Sequence, residues 1–268
     1  MIKTFTATIE PKPYDFINDV TYLDNSCGDS MCKKYNRAID IVEKEGYEGW
    51  VCFIHDDAYI RTPKDVVEAR LRQAYDKGQR IAGVMGTLNL DTSMHWWWPD
   101  RQVNGAGFIQ QIVLGPDKKP VVPEKVYEMN DWPGYHDGLA TVDGCCMWVH
   151  TDVFKKQRWD DTIVGYHFYD VDFCLQGLRN GFGVCVIPVV VAHASPGALP
   201  KNIDELRKPI FEKWARLVNT FPINKFALFR SDEDADEIFG IQEPATDDKR
   251  EEVSDSAQGQ LQEGVSQL

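Results

Sequence analysis

The alternation of apolar and polar positions gives the N-terminal part of the chain a strand, helix, strand order. Short apolar runs at residues 3–9, 19–23 and 50–57 are typical of buried strands. Between the last two, apolar positions over residues 30–44 recur at helical spacing. This order predicts a βαβ unit, in which parallel strands are joined by a right-handed crossover.

The same patterns continue toward the C-terminal end. Helices are predicted at residues 62–77, 170–180 and 203–220, and strands at residues 80–85, 141–150 and 183–192. Asp143 and Gly144 interrupt the strand at 141–150. We therefore predict an α/β fold whose Rossmann-like sheet is mixed, mostly parallel and flanked by helices.

Residues 87–140 have a different character. They contain scattered glycines and prolines, candidate strands at 108–114 and 121–127, and four of the eight tryptophans of the chain. Aromatic residues on irregular backbone are typical of a binding wall. Core packing or a protein interface explains the run from Trp96 to Trp98 equally well.

The net charge of −13 is concentrated at one end of the chain. Residues 231–268 hold twelve acidic and two basic residues, so residues 1–230 carry a net charge of only −3. We predict one domain over residues 1–230 and a disordered acidic tail over 231–268. A nearly neutral domain gives no support for nonspecific binding of nucleic acid.

The seven cysteines show no paired CxxC spacing, which argues against a zinc site or a disulfide framework. No apolar run approaches the length of a membrane span, and the first residues lack a signal-peptide pattern. We therefore expect a soluble, cytoplasmic protein with no transmembrane segment.

Three groups of side chains that could bind a metal or take part in catalysis lie at the ends of predicted elements. Asp56 and Asp57 follow the strand at 50–55, Asp170 begins a helix, and His193 follows the apolar strand near residue 192. Adjacent carboxylates at a strand end suit a hard divalent cation such as Mg²⁺ or Mn²⁺. Each group also has a purely structural explanation, as a turn, a helix cap or a loop histidine.

The order of the motifs is more specific than any one of them. His55-Asp56-Asp57 is followed by Asp143-Gly144, by the segment 165–175 around Asp170, and by His193-Ala194-Ser195. Over about residues 18–197, this order resembles family 2 glycosyltransferases with the GT-A fold. It is most similar to the branch whose metal motif reads His-Asp-Asp and whose catalytic segment reads Phe-His-Phe-Tyr-Asp-x-Asp.

The resemblance implies a metal-dependent, inverting transfer of a sugar from a nucleotide-sugar, foremost a UDP-sugar, to a hydroxyl acceptor. It implies that Mn²⁺ or Mg²⁺ is held by Asp57 and His193 with Asp56, and that Asp170 is the catalytic base. The implied nucleotide contacts are Asp24, Asn36 and Asp56, and the implied acceptor side contains Asp143 and Gly144. Because aromatic faces stack on sugar rings, Trp97, Trp98 and Trp132 are further acceptor candidates.

Two residues depart from the family pattern. His55 stands where the metal motif carries an acid, and Tyr169 stands where a glutamate precedes the base. The N-terminal region is also shorter than in the family, so donor binding is expected to use other contacts.

Three other functions remain open on the sequence alone. The acceptor could be a hydroxylated base in viral DNA, although the charge of the domain does not support this. A carbohydrate-binding module without catalytic activity would explain the fold, but not the presence of Asp57, Asp170 and His193. A phosphoesterase would need a second metal-bridging cluster, and the sequence offers no candidate for one.

Overall fold

A computed structural model describes residues 2–9, 20–26, 28–90, 93–95, 105–112, 125–128, 134–194 and 200–214. Its strands are β1 Lys3–Thr8, β2 Val20–Asp24, β3 Trp50–His55, β4 Ala58–Ile60, β5 Gln79–Gly83, β6 Met85–Thr87, β7 Gly105–Gln111, β8 Lys125–Glu128, β9 His136–Asp137, β10 Thr141–Val142, β11 Cys146–His150, β12 Gly183–Val186 and β13 Val191–His193. Its helices are α1 Met31–Lys44, α2 Lys64–Asp76, α3 Thr151–Phe154, α4 Tyr169–Arg179 and α5 Ile203–Trp214.

The larger sheet has the strand order β2-β1-β3-β11-β5-β12-β9. The pairs β1/β2, β1/β3 and β5/β12 are parallel, whereas β3/β11, β5/β11 and β9/β12 are antiparallel. The antiparallel β11 lies in the middle of this sheet and separates the two parallel parts. These pairings confirm the predicted α/β class with a mixed sheet. They do not make it mostly parallel, because three of the six described strand pairs of this sheet are antiparallel.

A smaller sheet follows the order β10-β6-β7-β13-β4, and β8 pairs with β7. The strands predicted at 108–114 and 121–127 correspond to β7 and β8, displaced by a few residues, and the two form an antiparallel pair. The continuous strand predicted at 183–192 is wrong. The chain leaves the larger sheet after Val186 and enters the smaller one at Val191, and Pro188 between them has no N–H with which to continue a ladder.

The sheet and its helices enclose one apolar core. Ser30 caps the N-terminus of helix α1, since its side chain accepts a hydrogen bond from the N–H of Lys33, and the helix buries Tyr35 and Ile39. Helix α5 is joined to α4 because the indole N–H of Trp214 donates to Asp172 at 2.8 Å. The six described cysteines are buried and free, as expected for reduced thiols.

Some predictions lie outside the described residues. These are the candidates Trp97, Trp98 and Trp132, the part of the last helix beyond Trp214, and the acidic tail at 231–268. The domain boundary at residue 230 therefore stays a prediction. Among the described helices, none has the length and apolar character that a bilayer crossing requires.

Candidate functional site

The site is built where β3 ends and the chain turns into β4. His55 is the last residue of β3, and Asp57 lies in the turn before β4. Strand β13 pairs with β4 so that His193 lies opposite Ala58, and the N–H of Ala194 donates to the carbonyl of Asp57 at 2.8 Å. This pairing carries His193 to Asp57, although the two residues are far apart in the chain.

His55, Asp57 and His193 offer ligand atoms that all lie within 4.8 Å of one another. Nε2 of His193 lies 3.2 Å from Oδ1 of Asp57, and the His55 and His193 ring centroids are 5.7 Å apart. Nε2 of His193 is buried, and among the described residues it has no well-directed hydrogen bond. Two imidazoles and a carboxylate facing one another form a donor set that fits a divalent first-row ion.

Burial and mutual charge set the ionisation of this group. Burial alone would lower the pKa of His193, but the adjacent Asp57 carboxylate outweighs it and the pKa is raised. Burial would raise the pKa of Asp57, but the contact with His193 holds it below its usual value. Burial and then the neighbouring His193 lower the pKa of His55. When His193 is protonated, it forms an ion pair with Asp57, and a bound cation would take the place of its proton.

The group differs from the predicted ligand set in one residue. It contains His55 and not Asp56, whose carboxylate accepts a hydrogen bond from the hydroxyl of Thr8 at 2.9 Å. That Asp56 binds the metal stays a prediction. In the turn after β3, the side chain of Asp57 lies near His55 and His193, whereas that of Asp56 lies near Thr8.

Asp170 lies in the first turn of α4, where Phe168 at φ 64° turns the chain into the helix. Only 8% of Asp170 is exposed. Its Oδ2 accepts the N–H of Gly144 and its Oδ1 accepts the N–H of Val171, both at 2.9 Å. Burial, and then the charge of Asp143, raise the pKa of Asp170 to about 7.

Gly144 is a contact point between these groups. A methyl group on Gly144 would lie 2.2 Å from the hydroxyl oxygen of Tyr169 and 2.6 Å from its ring. The hydroxyl of Tyr169 in turn shares a hydrogen bond of 2.6 Å with Nε2 of His55. Asp170, Tyr169 and His55 therefore fit together only around a residue without a side chain.

Gly144→Ala is expected to lower the free energy of unfolding by about 1–3 kcal/mol, the usual cost of overpacking a tight site. The added methyl must push Tyr169 away, and the bond between Tyr169 and His55 should break with it. Thermal unfolding of the variant and of the native chain measures the effect. An unchanged melting temperature would contradict the close approach at Gly144.

A second polar group lies at the adjacent ends of β1 and β2. Asp24 ends β2 opposite Thr8, and its carboxylate accepts the N–H of Ser26 at 2.8 Å. The buried Lys34 donates to the side chain of Asn25, which also accepts the hydroxyl of Tyr166 at 2.8 Å. Since Thr8 also contacts Asp56, this group continues the edge on which the metal-type group lies.

Among the described residues, the side chain of Asn36 bonds to Trp159 and not to a member of either group. Its amide nitrogen donates to the carbonyl of Trp159 at 2.9 Å, and its amide oxygen accepts the N–H of Trp159 at 3.0 Å. These two bonds fasten α1 to the segment before α4. The predicted contact of Asn36 with a diphosphate stays untested, and its observed role is structural.

Of the predicted acceptor residues, Asp143 and Gly144 are described, and they lie next to Asp170. The carboxylate of Asp143 accepts the N–H of Cys145 at 2.8 Å. The carbonyl of Cys145 accepts the N–H of His55 at 2.9 Å. The segment between β10 and β11 therefore bridges the end of β3 and the first turn of α4.

A comparison with known families agrees with this arrangement. The model of a glycosyltransferase-like family matches residues 10–196, more than half of the chain. The chain belongs to this family. The match spans the end of β3, the segment between β10 and β11, α4 and β13, so the metal-type group, Gly144 and Asp170 of this glycosyltransferase-like chain all lie within the matched region. Among curated proteins, no significant match is found.

Two solved structures are similar to this glycosyltransferase-like chain at low identity. The A197 protein from STIV is 12% identical, with a TM-score of 0.39, covering 72% of this chain and 82% of that protein. GalNAc-T7, solved with UDP, GalNAc and Mn²⁺, is 10% identical, with a TM-score of 0.44, covering 83% of this chain and 45% of that protein.

Proposed function

We propose that this chain is a metal-dependent, inverting glycosyltransferase that moves a sugar from a nucleotide-sugar, foremost a UDP-sugar, to a hydroxyl acceptor. The observation that carries the proposal is the grouping of His55, Asp57 and His193, which Tyr169 and Gly144 connect to the buried Asp170. Membership of a glycosyltransferase-like family supports the type of reaction. The GT-A arrangement is part of this proposal.

His55, Asp57 and His193 would hold the cation. When bound, a divalent cation neutralises the two phosphates of the donor and makes the nucleoside diphosphate a better leaving group. Imidazole ligands suit transition metals better than Mg²⁺, which prefers oxygen ligands. We therefore propose Mn²⁺ rather than Mg²⁺ as the ion.

The nucleotide would lie along the polar group at the ends of β1 and β2. Asp24 lies opposite Thr8, and Thr8 contacts Asp56. A donor whose diphosphate is near Asp57 would thus extend toward Asp56 and Asp24, where carboxylates can accept ribose hydroxyls.

Asp170 would accept the proton of the acceptor hydroxyl as its oxygen attacks the anomeric carbon. General bases work best when their pKa is near the working pH, and the pKa of Asp170 is raised to about 7. The N–H groups of Gly144 and Val171 hold its carboxylate in one orientation. A single displacement opposite the leaving group inverts the configuration of the sugar.

The test is a panel of nucleotide-sugars, each with Mn²⁺, with Mg²⁺ or with EDTA, followed by thermal unfolding and by release of nucleoside diphosphate. At 100 times its dissociation constant, a bound donor should stabilise the protein by about 2.7 kcal/mol. That corresponds to a rise of about 5–10 °C in melting temperature for a domain of this size. We expect this rise in melting temperature for one class of nucleotide-sugar when Mn²⁺ is present, and EDTA should abolish it.

Each other outcome of the panel is informative. Indifference to all nucleotide-sugars would contradict the proposal. Metal-dependent stabilisation without any release of nucleoside diphosphate, even with hydroxyl acceptors added, would favour a binding module over an enzyme.

A further inference from the structure

The two departures from the family pattern are in direct contact. His55 stands where the resemblance implies an acid, and Tyr169 stands where it implies a glutamate. In the folded chain the Tyr169 hydroxyl and Nε2 of His55 share a hydrogen bond of 2.6 Å. The two residues are far apart in the sequence, so neither departure alone indicates that they meet.

Tyr169 is held firmly in this position. Only 2% of it is exposed. Its ring lies edge-on to Tyr35 with centroids 5.9 Å apart, and 5.7 Å from the ring of Trp159. The close approach of Gly144 fixes the hydroxyl end. A hydroxyl placed by so many contacts can orient the group to which it is bonded.

The contacts of His55 from the opposite side are also fixed. Its backbone N–H donates to the carbonyl of Cys145 at 2.9 Å, and its ring faces that of His193 at 5.7 Å. The imidazole therefore lies between Tyr169 and the other two members of the metal-type group. Metal-binding histidines commonly form such a second hydrogen bond, which fixes the tautomer and the orientation of the ring.

We propose that Tyr169 is the positioning residue that makes His55 a metal ligand, so that the two residues act as one unit. The inference rests on the proposed metal-dependent function. The pair replaces an acid and a glutamate by a neutral imidazole and a phenol.

The same contact connects the metal ligand to the base. Tyr169 and Asp170 are consecutive residues of the first turn of α4, and both meet Gly144. A rotation of His55 would therefore be transmitted to the turn that holds Asp170. The contact between His55 and Tyr169 would thus keep the metal that binds the donor and the base that acts on the acceptor in a fixed relative position.

The experiment is a double-mutant cycle on Mn²⁺ affinity, measured by isothermal titration calorimetry. Outer hydrogen-bond partners of metal ligands are commonly worth about 10–100-fold in affinity. Tyr169→Phe removes only the hydroxyl and should weaken Mn²⁺ binding by that factor. In a His55→Ala background the same change should have an effect of less than about twofold, because the oriented ligand is already absent.

Tyr47→Phe is the matched control. Its hydroxyl donates to the carbonyl of Trp50 at 3.1 Å, at the opposite end of β3, so its loss should leave Mn²⁺ affinity unchanged. Melting temperatures of all variants without metal separate a loss of folding from a loss of affinity.

Two results would overturn the inference. The first is native Mn²⁺ affinity in Tyr169→Phe, and the second is an equal loss with and without His55. Failure of the proposed function looks different, because the native protein itself would then bind no Mn²⁺, and both proposals would be rejected together.

Discussion

Asp170→Asn is expected to lower the rate of sugar transfer by about 10²–10⁴-fold, the usual contribution of a positioned general base. Asparagine has nearly the same shape but cannot take the proton of the attacking hydroxyl. The rate is measured as release of nucleoside diphosphate from the donor that stabilises the native chain. Donor binding in the presence of Mn²⁺ should be retained, because Asp170 is not part of the metal-type group.

The pH dependence gives an independent check on the same residue. A base must be ionised to act, so the native rate should rise as pH increases through about 7, the pKa to which burial and Asp143 raise Asp170. At a Mn²⁺ concentration that saturates the site at every pH, the variant should lack this rise. A flat native profile between pH 5 and about 9 would contradict the assignment of Asp170 as the base.

The stability of the fold should change in the opposite direction. A carboxyl whose pKa is raised in the folded state, from 3.8 to about 7, contributes stability that is present at low pH and lost as pH rises through this interval. The ionised native residue thus costs up to about 4 kcal/mol above pH 7. The free energy of unfolding of Asp170→Asn, relative to that of the native chain, should therefore be higher at pH 8 than at pH 5.

Asp172→Asn is the matched control. Asp172 is buried in the same helix, but its carboxylate accepts the indole N–H of Trp214 and pairs with Lys213 at 2.7 Å. Its loss should lower the melting temperature and leave the rate of the folded enzyme near native. Equal rate losses in both variants would indicate that Asp170 acts only through folding.

His193→Ala is expected to weaken Mn²⁺ binding by more than about 100-fold, since even outer partners of a metal ligand contribute up to that factor. It should also abolish the stabilisation by a nucleotide-sugar that requires metal. Calorimetric titration with Mn²⁺ measures the first effect and thermal unfolding the second. Full retention of Mn²⁺ affinity would rule out His193 as a ligand.

Low pH should weaken Mn²⁺ binding by the native chain, because it protonates His193. A metal binds only the neutral imidazole, and Asp57 raises the pKa of His193 above 6.5 despite its burial. Mn²⁺ affinity should therefore increase with pH across the neutral range. His167→Ala is the control, and its Mn²⁺ affinity should depend on pH as that of the native chain does. His167 lies in the segment before α4 and is not a member of the metal-type group.

The sequence predicted much of this arrangement, because local patterns determine its parts. The apolar run that becomes β3, the helix over α1 and the break at Asp143 and Gly144 follow from periodicity and turn chemistry. The end of β3 and the start of α4 were located within a residue or two.

The remaining features depend on tertiary contacts. That His55 replaces Asp56 in the metal-type group follows from the direction of side chains in the turn before β4. The pairing of β4 with β13 joins residues that no local pattern connects. For Asn36, the amide that looked suited to a phosphate is paired with the backbone of Trp159, and only the folded chain shows this.

Because the chain passes from the larger sheet to the smaller one near Pro188, the site lies between the two sheets. His55 belongs to the larger sheet and His193 to the smaller one. An ion held by both would act as a cross-link that closes a long stretch of chain, and such links stabilise most when the enclosed segment is long. Occupancy of the site would then determine how tightly the two sheets are held together.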